Sequence, residues 1–294
     1  MEIGIGLAVA VALITNLASL LKHRGCQAAP AVSIGSPLTG LRALAGSRWF
    51  VAGWLLAGVG WLAHVAALSL APISMVQAVL AGGAVTLAVL SQRLFGDRVE
   101  PRQWLALTIG AVGLVLLVVT LPQPHGADSG FSTAAIIGFE GGLILLAAGI
   151  ALGHRSERFA ERRGVLRAVL AGLLFALAGI AIKAVLGGSG GLVMIIPLVV
   201  VIVACGASAQ YSAVGALQGG GAIETIGLMG LVANAVQIIG GLLVFGDPLS
   251  PGALGIVLQG TAFAMVCFSA LLLPSTPSGR IAASGRTLRL RPSA

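Results

Sequence analysis

Nine side chains could bind or carry a charged or polar solute, and all lie within long apolar segments: Asn16, His64, Gln77, Glu140, Lys183, Tyr211, Glu224, Asn234 and Gln237. Polar and ionisable groups are costly inside a lipid core, so such residues read first as functional. Glu140 leads them. It lies between Phe139 and Gly141, in the first half of its segment. It could carry a proton, or bind a cationic substrate when ionised. Its architectural alternative is a neutral or Lys183-paired carboxyl that holds helices together. Lys183 lies near a helix end, where snorkelling to the interface is one role. Pairing with Glu140 or with an anionic substrate group is the other. Glu224 follows Gly219, Gly220 and Gly221. Capping a helix N-terminus is the favoured role; gating an inner mouth is the alternative.

His64 could shuttle protons or hydrogen-bond between helices. Asn234 and Gln237 are three residues apart and share a helix face. With Gln77 they glue helices or line a cavity. Interhelical hydrogen bonds average well under ~1 kcal/mol, which favours the cavity. Asn16 and Tyr211 are expected to line the same path, and Trp61 is expected to pack. Asp97 and Asp247 read as turn formers, because Asp bonds its own backbone.

Other chemistries are excluded. The chain has no G-x-x-x-x-G-K-[ST], H-E-x-x-H, C-x-x-C or G-x-S-x-G pattern. Cys26, Cys205 and Cys267 are too scattered for a zinc site or a disulfide framework. The loops are too short for a catalytic domain. Neither an enzyme nor a cofactor is expected.

The elements that position these residues follow from composition. Hydrophobic residues make up 57% of the 294, charged residues 9%, and mean hydropathy is +1.05. Soluble proteins carry roughly 25% charged residues, so lipid must be the solvent. A spanning helix needs about 20 mostly apolar residues. Nine segments qualify, at about 3–21, 49–70, 72–92, 103–121, 133–152, 166–186, 191–215, 222–245 and 252–273. Glu2 precedes the first apolar run and Lys22 and Arg24 follow it, the reverse of a signal peptide's charge order. A retained first helix is expected. Residues 22–48 read as a loop, a re-entrant segment or a surface segment.

With the N-terminus outside, every lysine and arginine except Lys183 falls on the cytoplasmic side. The predicted outer loops at 71, 122–132, 187–190 and 246–251 contain none. This is a positive-inside pattern, and it accounts for the net charge of +8 without a nucleic-acid partner. A multi-pass protein of a cell's inner, or plasma, membrane is expected. The arginine-bearing tail, 274–294, is expected to be disordered.

The chain also repeats itself. Phe95, Gly96 and Asp97 recur as Phe245, Gly246 and Asp247, and the same shift pairs Pro101 with Pro251 and Gly110 with Gly260. The first copy is flanked by Arg93, Arg98 and Arg102; the second has Leu243, Pro248 and Gly252 there. A turn that is kept while its arginines are lost points to an inverted-topology repeat. A weaker match joins the segment ending at Lys22 to the one ending at Lys183. The predicted fold is therefore an all-α integral membrane protein of about nine transmembrane helices in two inverted repeats, 4+5. Residues 1–121 form the first repeat, 122–132 an outer linker and 133–273 the second.

On these motifs the chain resembles the drug/metabolite transporter superfamily. The nine-span layout, with a polar loop after the first helix, is similar to the branch that includes the NIPA-type magnesium transporters. The resemblance implies a secondary transporter that moves a small molecule or ion by alternating access, with the substrate between the halves. It also implies an acidic residue and an asparagine in the second helix, where this chain has Trp61 and His64. It implies prolines near Gln77 and Gly227. A magnesium permease is the rival within the class. A non-transporting subunit for assembly or lipid handling is the rival outside it. A transporter would run alone or as a homodimer; a subunit would bring a partner.

Overall fold

The computed structural model describes residues 2–29, 37–96, 99–120, 131–153, 156, 162–187, 191–247 and 252–272. Asp97, Arg98, residues 30–36 of the polar loop, 122–130 of the linker, Arg155, Arg158, Pro248, Pro251 and the tail 274–294 lie outside the described residues. The described elements are helical throughout. In order they are α1 (Glu2–Gln27), α2 (Pro37–Ala45), α3 (Arg48–Leu70), α4 (Ile73–Gly82), α5 (Ala84–Leu90), a π-helical turn (Ser91–Phe95), α6 (Pro101–Thr120), α7 (Thr133–Gly153), α8 (Arg163–Gly187), α9 (Gly191–Gly219), α10 (Ala222–Val244) and α11 (Ala253–Leu272).

Seven stretches are long and apolar enough to cross a membrane, taking Ile73–Phe95 as one. Nine such segments are expected from hydropathy; Pro101–Leu117 and Ala253–Ser269 are apolar helices shorter than a span. The chain is a multi-span membrane protein. The polar loop is smaller than expected: α1 runs on through Lys22 to Gln27, and Pro37–Ala45 forms the short helix α2.

Local chemistry sets the breaks. Ser47 caps α3, its hydroxyl accepting from the Phe50 N–H. Pro72 disfavours helical geometry at the residue before it, and Ala71 is accordingly extended, with φ −148° and ψ 157°. Gly96 (φ 69°) and Gly246 (φ 65°) both adopt left-handed geometry, which glycine reaches without a Cβ clash. The two Phe-Gly pairs thus end their helices alike.

Helices α8 and α10 hold the centre and bury most of their length; α3, α7 and α9 bury less than a quarter of theirs. Small residues make the central contact close. A Cβ on Gly172 of α8 would lie 2.7 Å from the Met229 carbonyl of α10, so glycine there lets the two backbones touch. Trp61 faces outward and is 51% exposed. Its expected packing role is not what the bundle uses it for.

Candidate functional site

The span from Ile73 to Phe95 is not one continuous helix. It is interrupted at Gly83, a one-residue turn between α4 and α5 whose dihedrals stay near helical (φ −65°, ψ −8°). Asn16 of α1 donates from Nδ2 to the Gly83 carbonyl at 2.7 Å and to Thr86 Oγ1 at 3.0 Å. Thr86 Oγ1 donates to the same carbonyl at 2.5 Å. A broken helix at membrane depth persists where its backbone is buried in protein or lines a cavity. Here α1 lies against the break: a Cβ on Gly83 would meet Ala12 Cβ at 2.6 Å.

A small cavity of about 30 Å³ opens beside the break. Asn16 of α1, Leu80 and Leu87 on either side of the break, and Gly227, Gly230 and Asn234 of α10 are among its walls. Asn16, Gly83 and Asn234 all lie near the midpoints of their spans. The cavity has room for about one water or a small ion. Its polar lining is two neutral carboxamides. Gly227, where the resemblance implies a proline, leaves part of this space open.

A second cluster lies where the C-terminal ends of α3, α8 and α10 meet the start of α4. Lys183 is 2% exposed, and its Nζ donates to the carbonyls of Leu68 at 2.8 Å and Ala71 at 3.1 Å. It neither snorkels nor pairs with Glu140; it closes the end of α3. The Asp247 carboxylate acts on it electrostatically. Asp247 Oδ2 accepts from the Ser74 N–H at 3.1 Å and from the Ser74 hydroxyl. This joins the second Phe-Gly-Asp turn to the start of α4. One turn along α4, Gln77 Nε2 donates to Gln237 Oε1 of α10 at 2.9 Å. Gln77 Oε1 is buried without a partner.

Glu140 is buried on α7, and its Oε1 has no hydrogen-bond partner. Its carboxyl acts electrostatically on Cys205 of α9. His64 Nδ1 is also buried without a partner, so the expected interhelical bond does not form there. Glu224 is buried in the first turn of α10, the position of a capping carboxylate. Tyr211 is 44% exposed and lines a cleft between α7, α8 and α9. Lys22, expected at an interface, is buried against Gly53 of α3.

The structure therefore joins Asn16 with Asn234, and Gln77 with Gln237, and keeps Glu140, His64 and Tyr211 out of both pairs. Residue-by-residue reading passed over Gly83, Thr86 and Ser74. The adjacent Gly82 and Gly83 inside an apolar run were the available signal for the break. Among the described residues, no group of three His, Cys, Asp or Glu side chains could hold a metal ion.

No family model and no solved structure matches the chain. Over 100 residues, 34% of its length, the chain is 32% identical to the probable magnesium transporter NIPA9 of Arabidopsis thaliana. The match spans 28% of that relative's length.

Proposed function

We propose that this chain is a secondary transporter of the drug/metabolite type. Nine helices in two inverted repeats, four and five, would carry a small polar solute or ion across a plasma membrane. The observation that carries the reading is the break at Gly83, held by Asn16 and facing Asn234 across a mid-depth cavity. Discontinuous helices at the junction of two halves are where transporters place their substrates. The pairing of repeat-related helices supports the same reading. Helices α4 and α10 meet through Gln77 and Gln237, and α6 packs extensively on α11. Alternating access would be a rocking of one half on the other about these contacts, with the cavity widening toward each side in turn.

The partial identity to a probable magnesium transporter favours a second reading, a divalent-cation permease. Magnesium takes oxygen ligands and keeps several waters. Asn16 and Asn234 offer amide oxygens without a carboxylate, so the ion would cross with water still bound.

Flux into proteoliposomes tests both readings. Uptake of small solutes driven by an imposed proton gradient is expected in the wild type and is expected to be lost in Asn16→Ala. Magnesium entry that also depends on Glu140 would move the assignment to the divalent permease. Folded protein with no flux of either kind overturns both.

A further inference from the structure

The cleft between α7, α8 and α9 has a volume of about 580 Å³, within the range of ligand sites, roughly 300–1,000 Å³. It shares no lining residue with the Asn16–Asn234 cavity. Ile144 and Ala148 of α7 form one wall, Leu170 and Leu174 of α8 the floor, and Ala204 of α9 part of the other wall. Both α7 and α9 pack on α8 without packing extensively on each other, which keeps the cleft open along its length. Its α9 wall runs from Val200 to Gly215, about 22 Å of helix. One leaflet of hydrocarbon is about half of the ~30 Å core.

The lining holds one charged side chain, Arg167, in the second turn of α8. Its guanidinium lies over the bare backbone of α9: a Cβ on Gly215 would come within 2.9 Å of Nη1. No described residue hydrogen-bonds or ion-pairs with this guanidinium, and among the described residues no carboxylate lines the cleft. Arg162, exposed at the same end of α8, adds positive charge.

We propose that this cleft binds an anionic phospholipid. Its phosphate would sit on Arg167 and one acyl chain would run up the apolar groove toward Cys205. The charge pattern selects the occupant. A guanidinium binds phosphate with paired N–H donors, and basic pockets between membrane helices hold anionic head groups. A soluble anion would sit among Arg167, Ser208, Tyr211 and Ser212 and leave the apolar half of the cleft, from Ile144 and Ala148 of α7 to Val200 and Ala204 of α9, uncovered. Among the described residues the cleft supplies no carboxylate for the cation of a zwitterionic head group.

The test uses the full chain, delipidated in a neutral detergent. Phosphatidylglycerol is the probe, with phosphatidylcholine and inorganic phosphate as comparators. Phosphatidylglycerol is expected to raise the wild-type Tm by at least ~3 °C and to remain bound in native mass spectrometry, while the comparators do neither. Arg167→Gln removes the phosphate contact. Ala204→Phe fills the groove and keeps Arg167. Both are expected to lose the shift, and if the first fails to fold, the second decides. An equal shift from phosphatidylcholine or phosphate, or a shift retained in either folded variant, overturns the proposal.

Discussion

Replacing Lys183 by methionine keeps an unbranched side chain, one atom shorter, and removes its donors. The structure fixes what is lost. Nζ donates to the carbonyls of Leu68 and Ala71, at 2.8 and 3.1 Å, from a position 2% exposed. These carbonyls close α3, where the last turn has no helical donors of its own. Hydrogen bonds inside membranes average about 0.6 kcal/mol and reach about 1.7, so two of them are worth ~1–3 kcal/mol. Asp247 would lose its cation as well. Removing a buried ammonium returns part of the desolvation cost, which leaves a net loss of ~1–2 kcal/mol. The assay is reversible unfolding of the purified protein in mixed micelles, titrated with denaturing detergent. A double-mutant cycle with Asp247→Asn completes it, and the two losses should be non-additive. A Lys183→Met protein as stable as the wild type, or losses that simply add, would refute the reasoning.

Three further outcomes are expected. Gly83→Ala places a Cβ 2.6 Å from Ala12 Cβ; overpacking of this kind costs ~1–3 kcal/mol, and both thermal stability and solute flux should fall. Gln77→Leu and Gln237→Leu should each cost ~0.6–1.7 kcal/mol, with the double variant little worse than either single one when unfolding is measured. Glu140→Gln preserves shape and has no Oε1 hydrogen bond to break, so its melting should stay near wild type while uptake loses its dependence on an imposed proton gradient.

Hydropathy made seven span-length apolar stretches legible, because a bilayer demands unbroken runs of carbon surface and tolerates few charges. The turn glycines were legible too. Gly96 and Gly246 share left-handed geometry as they share sequence. The contacts of the site were not. Asn16 reaches a carbonyl 67 residues away, and no local pattern encodes that meeting. The Gly82–Gly83 pair is a weak signal in a chain of 43 glycines, and the approach of Ala12 is what singles Gly83 out. Lys183 looked like a helix-end lysine because its partners are backbone carbonyls, which every residue has. Glu140 stands out in sequence as a carboxylate within an apolar segment, yet it is not among the residues that line the mid-depth cavity.

Asn234→Cys, in a chain with Cys26, Cys205 and Cys267 replaced by alanine, tests the transport path most directly. The variant is reconstituted in liposomes and treated with a membrane-impermeant thiol reagent from outside, or from inside. Modification from both sides, slowed by the transported solute, is expected. A cysteine that reacts from neither side, or from one side only under every condition, would contradict an alternating-access cavity between Asn16 and Asn234.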